Sequence, residues 1–96
     1  MTYRVDLTEE ADAELAALPK KVQRQIARKL RTLANNPRPP LAKRLEGVEH
    51  LYRLRSGDYR ILYQIGDQVF SVLVVRIGHR QDVYRRLPGF RFLGEE

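Results

Sequence analysis

"HLYRLRSGDYRILYQIGDQVFSVLVVRI", His50–Ile77, is the stretch that decides the fold. Three runs rich in β-branched and aromatic residues, "HLYRLR", "YRILYQI" and "QVFSVLVVRI", are separated by "SGD" and "GD". Such short Gly-Asp interruptions favour hairpins, so the runs read as three successive antiparallel strands. The last is apolar on both faces through Val72–Val75, as a central strand must be. Upstream, "LAKRLEGVE" reads as a connector, and "NNPRPP" (Asn35–Pro40) as a helix stop, because proline restricts the residue before it. Val22, Ile26, Leu30 and Leu33 form an apolar stripe at helical spacing, behind a Pro19 suited to a helix start. Ala11, Leu15 and Leu18 predict a first helix over Glu9–Leu18, with Thr8 as its N-cap and Glu9 and Glu10 in the first turn. "YRVDL" (Tyr3–Leu7) is a short strand. The sum is an α+β domain of order β-α-α-β-β-β, a helical hairpin on one face of a small antiparallel sheet.

Ninety-six residues make one domain, 1–96, with a modest core. Cysteine is absent and the two histidines, His50 and His79, are far apart, which excludes a thiol nucleophile and a zinc centre and leads us to expect no metal or other cofactor. No apolar run reaches the roughly 18–20 residues that span a bilayer, and Met1–Glu14 does not resemble a signal peptide. The expected location is the cytoplasm, with no membrane partner. Eighteen basic residues face twelve acidic ones, for a net charge of +6 and an isoelectric point near 10.1. Leu15–Leu45 holds nine of the basic residues and no acidic one. That block suits phosphates, and equally an acidic protein.

Strand alternation sorts the polar side chains by face. Arg53 and Arg55 share one face; Arg60 lies opposite the apolar Tyr59, Ile61, Tyr63 and Ile65; Arg76, Gly78 and Arg80 share a parity. If the helices cover the apolar face, Arg53, Arg55, Arg60 and Arg80 converge on the uncovered one. A single outward arginine is ordinary, but four on one face repel one another, and a bound polyanion would offset that. Tyr84 beyond them is either a packing aromatic or a stacking and proton-carrying group. His79 can titrate near neutrality, although its parity points away from Arg80. Lys21, Arg24, Arg28 and Lys29 stud the polar side of the second helix. His50 and Glu46 read as surface residues.

The combination "YRLR-x-GDYRI-x-Y … IGHR-x-x-VYR", over roughly Tyr3–Arg86, resembles the RelE toxins of bacterial and archaeal toxin–antitoxin pairs. The resemblance implies the fold above and a metal-independent endoribonuclease, an mRNA interferase that cuts messenger RNA in the ribosomal A site and so stops translation. It implies that Arg53, Arg55, Arg60, Arg80 and Tyr84 form the catalytic set, aligning a ribose 2′-hydroxyl with the adjacent phosphate. Lys21, Arg24, Arg28 and Lys29 would meet ribosomal RNA. A RelB-like antitoxin is the implied protein partner, and no small-molecule cofactor is expected. The family often carries lysine at the two positions matched by Arg53 and Arg55. A guanidinium stabilises a phosphorane but is a poor base, so Tyr84 or His79 becomes the candidate proton acceptor. Two other readings stay open: a ParE-like toxin that inhibits gyrase without nuclease activity, and a non-catalytic RNA-binding relative.

Overall fold

The computed structural model describes residues 2–45 and 50–84. Strand β1 (Arg4–Leu7) leads into α1 (Glu9–Ala16) and α2 (Lys20–Asn35). After these come β2 (Lys43–Arg44), β3 (Leu51–Ser56), β4 (Tyr59–Gly66) and β5 (Ser71–His79). The five strands form one sheet in the order β1-β5-β4-β3-β2.

The helix starts and stops arise from local chemistry. The Thr8 hydroxyl accepts the Ala11 N–H at 3.1 Å, satisfying one of the donors orphaned at the α1 N-terminus. Gln23 of α2 donates to the carbonyls of Ala16 and Leu18, which ties the end of α1 to the start of α2. Pro19 precedes the first turn of α2, and Pro37 lies just beyond its last residues. The apolar stripe of α2 buries Ile26 and Leu33 against Leu54, Ile61, Tyr63, Ile65, Val72, Val74 and Ile77 of the sheet. Truncating either helix residue to alanine would cost about 2–5 kcal/mol, because a close-packed core cannot collapse into the space.

The predicted class holds, and the sheet differs from expectation in three ways. It is mixed, since β1 runs parallel to β5 from Arg4↔Ser71 to Leu7↔Val74. It has a fifth strand, β2, drawn from the expected connector and paired with Tyr52 and Arg53. The "GD" segment is no tight hairpin: Asp67–Val69 forms a 3₁₀ turn, Phe70 adopts φ 49°, and β5 begins at Ser71 instead of Gln68. The first helix also ends at Ala16, two residues earlier than expected. The "SGD" turn is a true two-residue hairpin, with Gly57 at φ 60° between the paired Ser56 and Tyr59.

Strand β1 stops at Leu7, and α1 continues along the β5 edge that it leaves. The Thr8 N–H donates to Val74 O and its hydroxyl to Val75 O. Farther along, Glu14 accepts the Ile77 N–H at 2.9 Å and the Arg76 Nε at 2.9 Å. A bulge leaves Val75 as an extra residue between the pairs Tyr63↔Val74 and Leu62↔Arg76. Such a bulge bends the strand and re-aims the side chains beyond it.

Candidate nucleic-acid site

The face of the sheet away from the helices is not bare. Leu51, Leu62, Val75 and Val83 form a second buried cluster there, flanked by Leu45 and Leu73. Val83 reaches it because residues 80–84 turn back, with the Asp82 and Val83 N–H groups both donating to His79 O. Val83 packs over Gly78, where an added Cβ would meet Val83 Cβ at an ordinary contact distance of 3.6 Å. The arginines therefore ring a small apolar island.

Pairing register brings three of the four arginine positions together. Arg55 is the cross-strand partner of Arg60, and Arg60 in turn of Gly78. The Arg80 N–H donates to Asp58 O at 2.8 Å, so the end of β5 is fastened to the β3–β4 turn. Arg53 sits two residues earlier on the same face, paired with Lys43 and Leu62. Its Nε is buried without a hydrogen-bond partner among the described residues, a cost of about 1–3 kcal/mol for most polar groups.

The four differ in freedom. Arg60 is buried, and its Nη1 donates to Gly57 O at 2.8 Å and to Tyr59 O at 2.9 Å. Arg55 and Arg80 are exposed. Tyr84 is 38 % exposed at the end of the described chain, beside the Val83 anchor. His79 points elsewhere: it pairs with Tyr59 across the ladder, their rings in edge contact at 5.8 Å, on the side the helices cover. Its Nδ1 accepts the Gln81 N–H at 3.3 Å. Arg76 also leaves the cluster, drawn to Glu14 with Glu10 at 3.8 Å.

Lys21, Arg24 and Arg28 are placed along α2, where Lys21 and Arg24 lie outside the groove that Arg28 and Lys29 border. Arg28 and Lys29 face the end of β3 across a cleft of about 670 Å³ that also includes Arg55 and Gly57. His50 is exposed with φ 63°. Glu46, Arg85 and Arg86 lie outside the described residues, as does "LPGFRFLGEE".

At the opposite end of β4, sequence reasoning missed a polar latch. Arg38 grips Asp67 with both terminal nitrogens, at 3.0 and 2.8 Å, and Tyr3 donates to the same carboxylate at 2.8 Å. Those bonds, Arg38's foremost, hold the Asp67 carboxyl down at about 2, and the same bonds raise the Tyr3 phenol and the Arg38 guanidinium. Arg38 also donates from Nε to Tyr52 Oη and lies over its ring, which stacks on Tyr63. Burial pushes the Tyr63 phenol up, and its hydroxyl donates to Pro37 O at 2.7 Å. Partners 29 residues apart leave no local signature for a sequence to show.

Among the described residues no helix is long and apolar enough to cross a membrane, and no three His, Cys, Asp or Glu side chains cluster as metal ligands would.

Comparison with known proteins finds relatives both in sequence and in fold. A RelE-like toxin protein of Escherichia coli is 39 % identical over 88 residues, covering 88 % of this chain and 92 % of its own. The mRNA interferase toxin RelE of Escherichia coli is 35 % identical over 83 residues, covering 84 % and 86 %. In the RelE–RelB complex from Pyrococcus horikoshii, the matching chain superposes with a TM-score of 0.75 at 30 % identity, over 86 % of this chain and all of that one. The isolated RelE toxin of Escherichia coli gives 0.70 at 34 % identity, over 80 % and 83 %. The family model for the ParE toxin of type II toxin–antitoxin systems, parDE, spans residues 5–84, from within β1 through the returning turn, so that this chain belongs to the RelE/ParE family of type II toxins.

Proposed function

We propose that the chain is an mRNA interferase, a toxin that cleaves messenger RNA in the ribosomal A site and is held in check by a RelB-like antitoxin. The observation that carries this reading is the gathering of Arg55, Arg60 and Arg80 around the β3–β4 turn, with Arg53 on the same face and Tyr84 next in the chain to Val83, which packs on that face. The names of the RelE relatives support the activity, and the RelE–RelB complexes among the similar structures support the partner.

The reaction is an in-line transesterification. The ribose 2′-oxygen attacks the adjacent phosphorus, the bond to the 5′-oxygen breaks, and the products are a cyclic phosphate and a 5′-hydroxyl fragment. Negative charge grows on the non-bridging oxygens, and planar guanidinium forks suit it because each offers paired donors. Preorganisation counts for more than raw charge, since donors that need not move cost no reorganisation at the moment of reaction. Arg60, already bonded into its turn, is the fixed member; Arg55 and Arg80 close on the phosphate. Arg53 brings a donor that lacks a protein partner among the described residues. The cations thus take the part a metal ion plays in other nucleases, and the reaction runs without one.

Tyr84 carries the proton between the 2′-hydroxyl and the leaving 5′-oxygen. His79 suits that role less, because it pairs with Tyr59 on the covered side of the sheet. Lys21, Arg24, Arg28 and Lys29 supply the broad electrostatic contact with ribosomal RNA, and the toxin works in the cytoplasm, where ribosomes are.

Mapping mRNA 5′ ends after brief induction without antitoxin tests this reading. New ends inside translated codons are expected for the wild type and not for Arg80→Ala. Growth arrest without new ends would overturn the nuclease and return the gyrase-directed reading.

A further inference from the structure

Residues 80–84 form one turn, with Arg80 at its first corner and the buried Val83 near its end. The three N–H groups that follow Arg80 all go to a single residue. His79 O accepts from Asp82 and Val83, each at 2.9 Å, and His79 Nδ1 accepts from Gln81 at 3.3 Å. This is the arrangement of a helix N-cap, whose side chain takes the N–H two or three residues on. Ser, Thr, Asp and Asn ordinarily fill that position; here an imidazole does.

The consequence falls on Arg80. Its own N–H donates to Asp58 O at 2.8 Å, which fixes the peptide plane before its Cα. The Gln81 N–H belongs to the plane after that Cα, and His79 Nδ1 fixes this second one. With both planes held, φ and ψ of Arg80 are set, and with them the direction in which its side chain leaves the chain. Arg80 is exposed, and no hydrogen bond or ion pair among the described residues holds its guanidinium. The backbone alone aims it.

The same bond fixes the state of the ring. An imidazolium has two donors and no acceptor, so Nδ1 takes the Gln81 N–H only in the neutral ring, with the proton on Nε2. One nitrogen then has its lone pair engaged and the other carries a hydrogen. Such a ring has nothing left with which to accept a proton from a 2′-hydroxyl. It also meets Tyr59 edge-on, centroids 5.8 Å apart, on the side of the sheet that the helices cover.

We propose that His79 is a positioning residue for Arg80: it caps the returning turn through a neutral Nδ1 and thereby aims the arginine at the scissile phosphate. The aim at a phosphate rests on the nuclease reading, whereas the cap does not.

Two substitutions separate the acceptor from the ring. His79→Asn puts Oδ1 where the imidazole has Nδ1 and gives up the contact with Tyr59. His79→Phe keeps a ring against Tyr59 and gives up the acceptor. On programmed ribosomes, His79→Phe lowers kcat about tenfold with KM within about twofold, because misplacing a reacting group costs rate more than binding. His79→Asn stays within about threefold of wild type in both, since asparagine is among the best N-caps. Added to Arg80→Ala, His79→Phe lowers the rate by no more than about a further twofold, because its effect travels through Arg80. Amide exchange on the intact toxin reads the cap without a ribosome. The Gln81 N–H exchanges several-fold faster in His79→Phe than in wild type or His79→Asn.

Equal cleavage by wild type and His79→Phe overturns the proposal. So does a loss in His79→Asn as deep as in His79→Phe, which would give the role to the ring. A full further loss in the Arg80→Ala background overturns it too, by showing an effect that bypasses Arg80. Unchanged Gln81 exchange in His79→Phe overturns the cap whatever the ribosomes show. A wild type that cuts nothing ends the nuclease reading instead, and the exchange measurement still decides the cap.

Discussion

Arg60 and Arg80 bear the same charge and differ in what holds them. Arg60 is fastened to two carbonyls of its own turn, so Arg60→Ala should lower both activity and stability, the latter by about 1–2 kcal/mol in urea unfolding. Arg80 is exposed, and Arg80→Ala should leave the thermal midpoint unchanged while cleavage by purified toxin on programmed ribosomes falls by about 10²-fold or more. Asp67 gives a pH signature of another kind. Its carboxyl is depressed to about 2, so its ion pair contributes fully above the ordinary carboxylate range near 4 and is lost as pH falls through about 2. Both partners are about half exposed, and solvent screening keeps the contribution near 1 kcal/mol or below. Asp67→Asn should therefore be less stable than wild type at neutral pH, with the difference vanishing in acid below about pH 2. The identity of the charged face was legible residue by residue, because alternation along β3 and β4 is a local property. Arg60's tether and the Arg38–Asp67 latch were not, since each depends on how a turn or a distant loop closes.

Elements reveal why part of the topology escaped the sequence. The two-residue β2 has no alternation to detect, and it exists because Tyr52 and Arg53 offer it an edge. The parallel β1–β5 pair joins segments more than sixty residues apart, which no turn signal announces. The bulge at Val75 reads as one more valine in an apolar run. On the edge of β5, α1 takes the place of a strand through one side chain. Glu14→Ala should cost about 2–3 kcal/mol in urea unfolding, because it orphans the Ile77 N–H and weakens the hold on the largely buried Arg76. Glu14→Gln should cost less, its amide oxygen still able to accept from Ile77.

For the molecule as a whole, net charge of +6 and an acid-free stretch through α2 predict that RNA affinity falls steeply with salt. Each of Lys21→Glu and Arg24→Glu should flatten the slope of log affinity against log salt by about 0.7, as expected on losing one contact to a single strand. Charge and fold were thus legible early, while the apolar island under the arginines was not, because Val83 covers Gly78 only after the chain turns back at Arg80. The position of β5 carries one more consequence. It is the strand that joins β1 to β4, and it comes after every other helix and strand of the described residues. A ribosome delivers the polypeptide from its N-terminus. Until β5 emerges, β1 lacks the strand it pairs with, and Arg80 joins Arg53, Arg55 and Arg60 of the β3–β4 hairpin only when this final strand slots in.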